Sequence, residues 1–180
     1  MQLFVQLDIA QLPSSFVSPW SSGLLQLFYC TNGRPPCEIE CEAYFPFSES
    51  VLVRVLEGSA VAAPGTPPAG QFPAKRIIGW QLQDDYPSYE ELEGSGLSAE
   101  EMDALSENGY PVVGEKLGGW PAWVQGVEYP ACPDCGDSMR FLFQVDSEDN
   151  LPYMFGDAGC GHITYCPTHP HRLAFAWACC

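Results

Sequence analysis

Two short motifs near the end of the chain carry the donor types and the spacing of a tetrahedral metal site. Cys132 and Cys135 form a Cys-x-x-Cys knuckle, and Cys166 and His169 form a Cys-x-x-His pair. Thiolate and imidazole are the donors zinc takes in closed sites, and a two-residue gap lets one tight turn aim both donors at one ion. The sequence holds nine cysteines and three histidines, so these four need a reason to be chosen. Strand-like runs at 139–146 and 159–166 supply it. If they pair antiparallel, Met139 lies near Cys166, and the knuckle shares one end of the hairpin with Cys166 and His169. Cys160, Cys179 and Cys180 then fall at the opposite end. Four protein ligands leave no open coordination position, so the expected zinc is structural. Cys160 or His171 are alternatives to His169 as fourth ligand. Buried free thiols or a disulfide are the alternatives to the whole set.

Other candidates are thinner. Cys30, Cys37 and Cys41 form a weaker second set, with three ligands visible and no fourth; ordinary thiols are the competing reading. Asp146, Asp149 and Asp157 share one hairpin loop and could bind a hard cation, although acidic hairpin loops are common without one. Lys116-Leu-Gly-Gly-Trp-Pro lacks the glycine spacing and the Gly-Lys-Ser/Thr ending of a phosphate loop. Its Gly118-Gly119 pair reads as a tight turn placing Trp120 and Trp123, which are expected in the core, with an exposed aromatic platform as the alternative. All three histidines lie at 162–171, and no nucleophile, base and orienting group emerge together.

Composition narrows the class. The formal net charge is −16, which argues against nucleic acid, because phosphate contacts need Lys and Arg. Ten of the acidic residues lie between Ile77 and Glu115, where Lys and Arg are absent. That stretch is either a solvated face or a surface that attracts a basic protein. An odd number of cysteines without a secretory leader fits metal ligation better than a disulfide framework. No apolar run suits a membrane span, and a cytoplasmic location is the expectation.

The elements that must position these residues repeat. Met1-Gln-Leu-Phe-Val-Gln-Leu-Asp8 aligns with Met139-Arg-Phe-Leu-Phe-Gln-Val-Asp146. Gly23 to Cys30 aligns with Gly159 to Cys166, and Val51 to Gly58 takes the place of Arg172 to Cys179. Short apolar runs bounded by Gly and Pro read as strands, and consecutive strands most simply pair antiparallel. Runs apolar at successive positions, such as Phe141-Leu-Phe and Leu24-Leu25, predict cover on both faces. The expected fold is mainly β (α+β with few helices): internally duplicated antiparallel sheets around one core, with pseudo-twofold symmetry. Residues 1–180 read as one duplicated domain. Residues 1–80 are the first unit, 81–110 an acidic linker, and 111–180 the second unit with the Cys-rich metal site. The linker region contains a loop at 62–70 just before it and a short helix from about Ala99 to Glu107, capped by Ser98 with Glu101 closing a capping box. Most of its acid is expected to face solvent. The first unit has no counterpart of Lys116–Trp123 or of the knuckle, so an element upstream of Met1 is either lost or lies further upstream.

In this order, Lys116-Leu-Gly-Gly-Trp-Pro-Ala-Trp123, the Cys132 knuckle, Met139 to Asp146 and the Gly156-Asp-Ala-Gly159 turn resemble the bacterial YwqG-like family of unknown function. That resemblance implies a mostly β, duplicated fold and brings no activity. More distantly, Lys116 to Trp123, Cys132/Cys135 and Met139 to Gln144 resemble the programmed cell death protein 2 family, which acts as a chaperone for a basic ribosomal protein. This implies a protein-binding module, although the inserted zinc-finger domain of that family has no counterpart here. The function expected is a zinc-stabilised protein-binding module, chaperone-like or neutralising a basic protein. The alternative is an enzyme with a carboxylate site, built on Asp157 or a linker Glu, in the cleft between the units.

Overall fold

Short runs of β-branched and aromatic residues, cut by Gly and Pro, form two antiparallel sheets. The computed structural model describes residues 1–34, 36–57, 72–93, 95–147 and 149–180; the expected loop at 62–70 lies outside them. The first sheet has the order β1 (Gln2–Asp8), β2 (Leu24–Tyr29), β3 (Val51–Leu56). A one-turn helix, α1 (Cys37–Glu40), lies between β2 and β3. Helices α2 (Tyr89–Leu92) and α3 (Ala99–Glu107) follow. The second sheet has the order β4 (Lys116–Leu117), β5 (Arg140–Asp146), β6 (Cys160–Tyr165), β7 (Leu173–Ala178).

The two meanders share one register. Gln2 faces Tyr29 and Asp8 faces Leu24; Arg140 faces Tyr165 and Asp146 faces Cys160. The first strand of each carries an irregularity at the same place, between Leu3 and Val5 and between Phe141 and Phe143. A bulge re-aims the side chains beyond it, so its recurrence keeps the same positions facing inward in both sheets. The third strands need a correction of one residue. Tyr29 faces Val51 and Tyr165 faces Leu173, so Val51 corresponds to Leu173 and not to Arg172. A slip of one residue inverts a strand's faces. The correct pairing sets Val51, Val53 and Val55 against Leu173, Phe175 and Trp177, an alternation of large inward residues that was present in the sequence.

One hydrophobic cluster joins the sheets, with Leu25, Leu27 and Tyr29 from the first and Val145, Ile163 and Phe175 from the second. Phe155 meets Tyr29 edge-on at 5.7 Å, and Trp177 donates its indole N–H to the Tyr29 hydroxyl at 2.9 Å. Aromatic side chains therefore occupy the junction where an open polar cleft would have to lie. Each such buried side chain contributes about 1.5–3 kcal/mol of transfer free energy. Burial is also the main reason the Tyr29 hydroxyl is pushed well above its ordinary range, which keeps it protonated.

Cover on both faces is complete in the second sheet and partial in the first, where Leu25, Gln26 and Leu27 are buried along β2. Phe143, Gln144 and Val145 are all buried, because residues 110–131 lie across the outer face. The Gln144 side chain is clamped there, donating to the Gly114 carbonyl and accepting from the Ala122 N–H, both at 2.8 Å. On the first sheet Leu3 and Leu52 stay 42% and 40% exposed on the corresponding face, and Gln6, Gln26 and Arg54 bond in a row across it.

Helix α3 has the expected limits and cap. Ser98 accepts from the Glu101 N–H and Glu101 reaches back to the Ser98 N–H, closing the capping box. The acid of 84–107 is mostly exposed, as expected, but Asp85 and Glu91 turn inward.

Candidate metal centre

The knuckle is a tight hairpin between residues 130 and 139. Met139 N donates to the Pro130 carbonyl, Cys132 N to Asp137 O and Gly136 N to Cys132 O, each at 2.8 Å. Gly136 supplies the left-handed residue (φ 78°) that closes the turn. This hairpin delivers Cys132 and Cys135 to the start of β5. Because β5 and β6 run antiparallel, the start of β5 lies beside the end of β6, where Cys166 follows Tyr165. Cys166 N bonds Arg172 O and Arg172 N bonds His169 O, so the turn between β6 and β7 folds His169 back over Cys166.

The four donors converge. The donor atoms of Cys132, Cys135, Cys166 and His169 all lie within 4.8 Å of one another. Cys135 Sγ is 3.7 Å from Cys166 Sγ, and His169 Nδ1 is 3.9 Å from Cys132 Sγ and 3.8 Å from Cys166 Sγ. Four donors at zinc–sulfur distance on a tetrahedron stand about 3.8 Å apart. The cluster could therefore hold a metal ion without rebuilding. Cys132 and Cys166 are buried against Met139 and Ala174, while Cys135 meets solvent. Burial raises the Cys132 thiol, but backbone N–H groups of Asp134 and Cys135 and the neighbouring thiols outweigh it, bringing it down to about 7. At Cys135 the Asp137 N–H pulls the other way, yet burial and the Cys166 and Cys132 thiols push that group up to about 12.

A clamp that the sequence did not reveal braces the site. Asp134, inside the knuckle, accepts from Arg172 Nε at 2.7 Å and from its terminal nitrogen at 2.9 Å. Hydrogen bonding to Arg172 holds the Asp134 carboxyl below its usual range. His171 Nε2 also faces Asp134, at 3.5 Å, and so does not compete for the fourth ligand position. Cys160 lies at the far end of β6, with its Sγ 3.8 Å from His162 Nε2. Burial pushes the Cys160 thiol up and the His162 imidazole down to about 3. Both groups are neutral near pH 7, which is not the thiolate–imidazolium pair of a cysteine nucleophile.

His162 makes a testable contribution to acid stability. Its pKa in the folded chain is depressed from 6.5 to about 3, so its stabilisation is complete above pH 6.5 and is lost as pH falls toward 3. The slope expected from one such group is about 1.4 kcal/mol per pH unit in that window. Gln26 fills the equivalent place in the first sheet. His162→Gln should fold and lose this component of the slope, as read by urea unfolding at pH 7, 5 and 4. Equal slopes in both proteins would show that His162 is not buried in its neutral form.

The Lys116–Trp123 motif is built around Asp85. Lys116 pairs with Asp85 at 2.9 Å with both side chains nearly buried, and Asp85 also accepts from Val112 N and Trp120 N at 2.8 Å. Gly118 and Gly119 turn at φ 67° and 77°, and a Cβ on Gly119 would run into the Asp85 carboxylate. Glu91 accepts from Trp123 Nε1 at 3.1 Å and from the Tyr129 hydroxyl at 2.6 Å. Trp123 is half-buried and packs against His162, the rings tilted with centroids 4.6 Å apart, at the margin of the core rather than within it. Trp120 does not enter the core; it is 40% exposed and lines an open groove with Tyr129, Met139, Arg140 and Phe141. One signal for Asp85 existed: Lys116 is the lone cation between Arg76 and Arg140, so it needed an acid from the linker.

The remaining candidates do not converge in this way. Cys30, Cys37 and Cys41 are neighbours around α1 whose thiols interact, but among the described residues the closed cluster of four donors is the Cys132 set. Asp146 and Asp149 accept from the N–H groups of Gly114 and Glu115 at 3.0 and 3.5 Å, and Asp157 sits exposed on the 156–159 turn.

The family model described as Domain of unknown function (DUF1963) matches residues 1–179. The chain belongs to the DUF1963 family. A 39-residue stretch of this DUF1963 chain is 51% identical to the Uncharacterized protein YpfL of Salmonella typhimurium. That match covers 22% of the chain and 9% of the length of YpfL. No helix among the described residues of the DUF1963 chain is long and apolar enough to cross a membrane.

Proposed function

We propose that this chain is a zinc-stabilised protein-binding module, with Cys132, Cys135, Cys166 and His169 holding a structural zinc. The observation that carries the reading is the closed set of four donors within 4.8 Å, half-buried and braced by Asp134 and Arg172. A catalytic zinc keeps one position for water, whereas three thiolates and an imidazole fill the tetrahedron. The more distant resemblance to the chaperones of the programmed cell death protein 2 family supports a binding role. So does the net charge of −16, with Glu90, Glu93, Glu100, Asp103 and Glu107 exposed along the linker. A basic protein is the partner this charge suits, and the Trp120 groove beside the knuckle offers it an aromatic contact.

Elemental analysis of protein purified without a histidine tag tests the metal. About one zinc per chain is expected, lost together with the ligand in Cys166→Ser. Four freely titrating thiols and histidines with no zinc in the untagged protein would overturn the reading. Partner capture from the native host should weaken steeply with salt, because exposed charges are screened within about 10 Å at 0.1 M. Binding indifferent to salt would remove the electrostatic argument and leave the aromatic groove.

A further inference from the structure

The connection between β2 and β3 repeats a feature of the metal centre with different ligands. Cys30 follows β2 as Cys166 follows β6, and the register sets Tyr29 against Tyr165 immediately before them. The backbone closes the two turns alike: Cys30 N bonds Ser50 O at 2.9 Å, and Cys166 N bonds Arg172 O at 3.0 Å. In the second sheet this position is a ligand. In the first, Cys37 N bonds Asn32 O at 3.1 Å and so returns the start of α1 to the end of β2 beside Cys30. Cys41 N bonds Cys37 O at 3.0 Å, one helical turn on, which puts the Cys37 and Cys41 side chains on one face. Glu42, left-handed at φ 49°, ends the helix directly after Cys41. The connection is anchored rather than loose: Ala43 is fully buried, and Tyr44 O accepts from Trp177 N at 3.2 Å.

The thiols act on one another. Cys30 heads the groups that hold the Cys37 thiol up, at about 11, with burial and Cys41 adding to it. Cys30 itself is brought down by Cys37 and by the Asn32 backbone, against the effect of its own burial. Glu38, on α1, accepts from the Tyr153 hydroxyl at 3.3 Å and from Tyr29 at 3.4 Å. Three sulfurs with no histidine among them suit a soft cation of low coordination number.

We infer that Cys30, Cys37 and Cys41 form a second, three-thiolate site that takes a monovalent thiophilic cation, copper(I) being the biological one. Cys41 is exposed and Cys30 and Cys37 half-buried, so the ion enters from solvent. Closing the site needs side-chain rotation at the one-turn helix, with each thiol releasing its proton to solvent as the metal–sulfur bond forms. The site is separate in chain and in sheet from the Cys132 centre.

The test is an anaerobic titration of the full chain with copper(I) against a competing chromogenic chelator, with zinc content followed in parallel. One equivalent should bind with near-ultraviolet thiolate-to-copper absorption while the zinc content stays constant. Cys41→Ser, at an exposed position, should weaken binding by more than about 100-fold, a loss that even the supporting partners of a ligand can reach. Cys37→Ser should do the same, and Cys180→Ser should not. Far-ultraviolet circular dichroism of each variant separates lost binding from lost folding. Copper uptake that persists in both the Cys37 and Cys41 variants, or that releases zinc in step, overturns the inference.

Discussion

Chelating the metal should lower the melting temperature of the purified protein by about 8–16 °C. Metal held at a thousand times its dissociation constant stabilises a fold by about 4 kcal/mol, and for a chain of this size each kcal/mol is worth about 2–4 °C. The stabilisation is available because the ligands arrive from two separate turns, the 130–139 hairpin and the 166–172 turn. Without the ion, the knuckle is held to the 166–172 turn by the Asp134–Arg172 pair and by thiol contacts. Hydrogen exchange should therefore lose protection first at 130–139 and 166–172, before β1 to β3. Cys166→Ser should melt at the chelated temperature and respond no further to chelator. A melting temperature unchanged by chelation, with Cys166→Ser equal to the parent protein, would remove the metal from the account of stability.

Asp85→Ala should be the costliest single change in the linker, at about 3–5 kcal/mol, because it strands the nearly buried Lys116 ammonium without its partner. Burial already pulls the Lys116 pKa down, and Asp85 is what opposes that pull. The substitution also orphans the N–H groups of Val112 and Trp120. Asp85→Asn keeps an acceptor but not the charge, so it should fall in between. Adding Lys116→Met to Asp85→Ala should recover part of the loss, since an apolar side chain replaces the unpaired charge. Denaturant unfolding of the parent protein, Asp85→Ala, Lys116→Met and the double variant measures the coupling directly. If Asp85→Ala costs less than about 0.5 kcal/mol, the level of an ordinary surface change, then Asp85 does not hold the linker to the second sheet.

The strands were legible because their cause is local. Runs such as Leu24–Tyr29 and Arg140–Asp146 are apolar, rich in aromatic and β-branched residues and bounded by turn formers. The Ser98–Glu101 capping box was legible for the same reason, since both partners lie within one helical turn. The short strand β4 and helices α1 and α2 were not read. Two to four residues carry no periodicity, and α1 has no side-chain cap to announce it. Trp120 and Trp123 are alike in type and close in sequence, yet one lines a groove and the other packs on His162. Which of them turns outward depends on the Gly118-Gly119 turn and on Asp85, which lies 35 residues before Trp120.

The Cys132 cluster shows where the division falls. Residue types and two spacings, together with the antiparallel pairing of β5 and β6, were enough to choose Cys132, Cys135, Cys166 and His169. Pairing direction alone decides which ends of two strands meet, and sequence order already implied it. Only the tertiary structure decided that Asp134 and Arg172 would clamp the knuckle, that His171 would turn to Asp134, and that Asp85 and Glu91 would leave the acidic face for the interior. Those contacts join residues between 31 and 38 positions apart. Nothing in the local pattern distinguishes a carboxylate that will meet water from one that will meet a buried lysine. The difference is made by the desolvation of Lys116 when residues 110–131 close over the second sheet, and that exists only once the chain has folded.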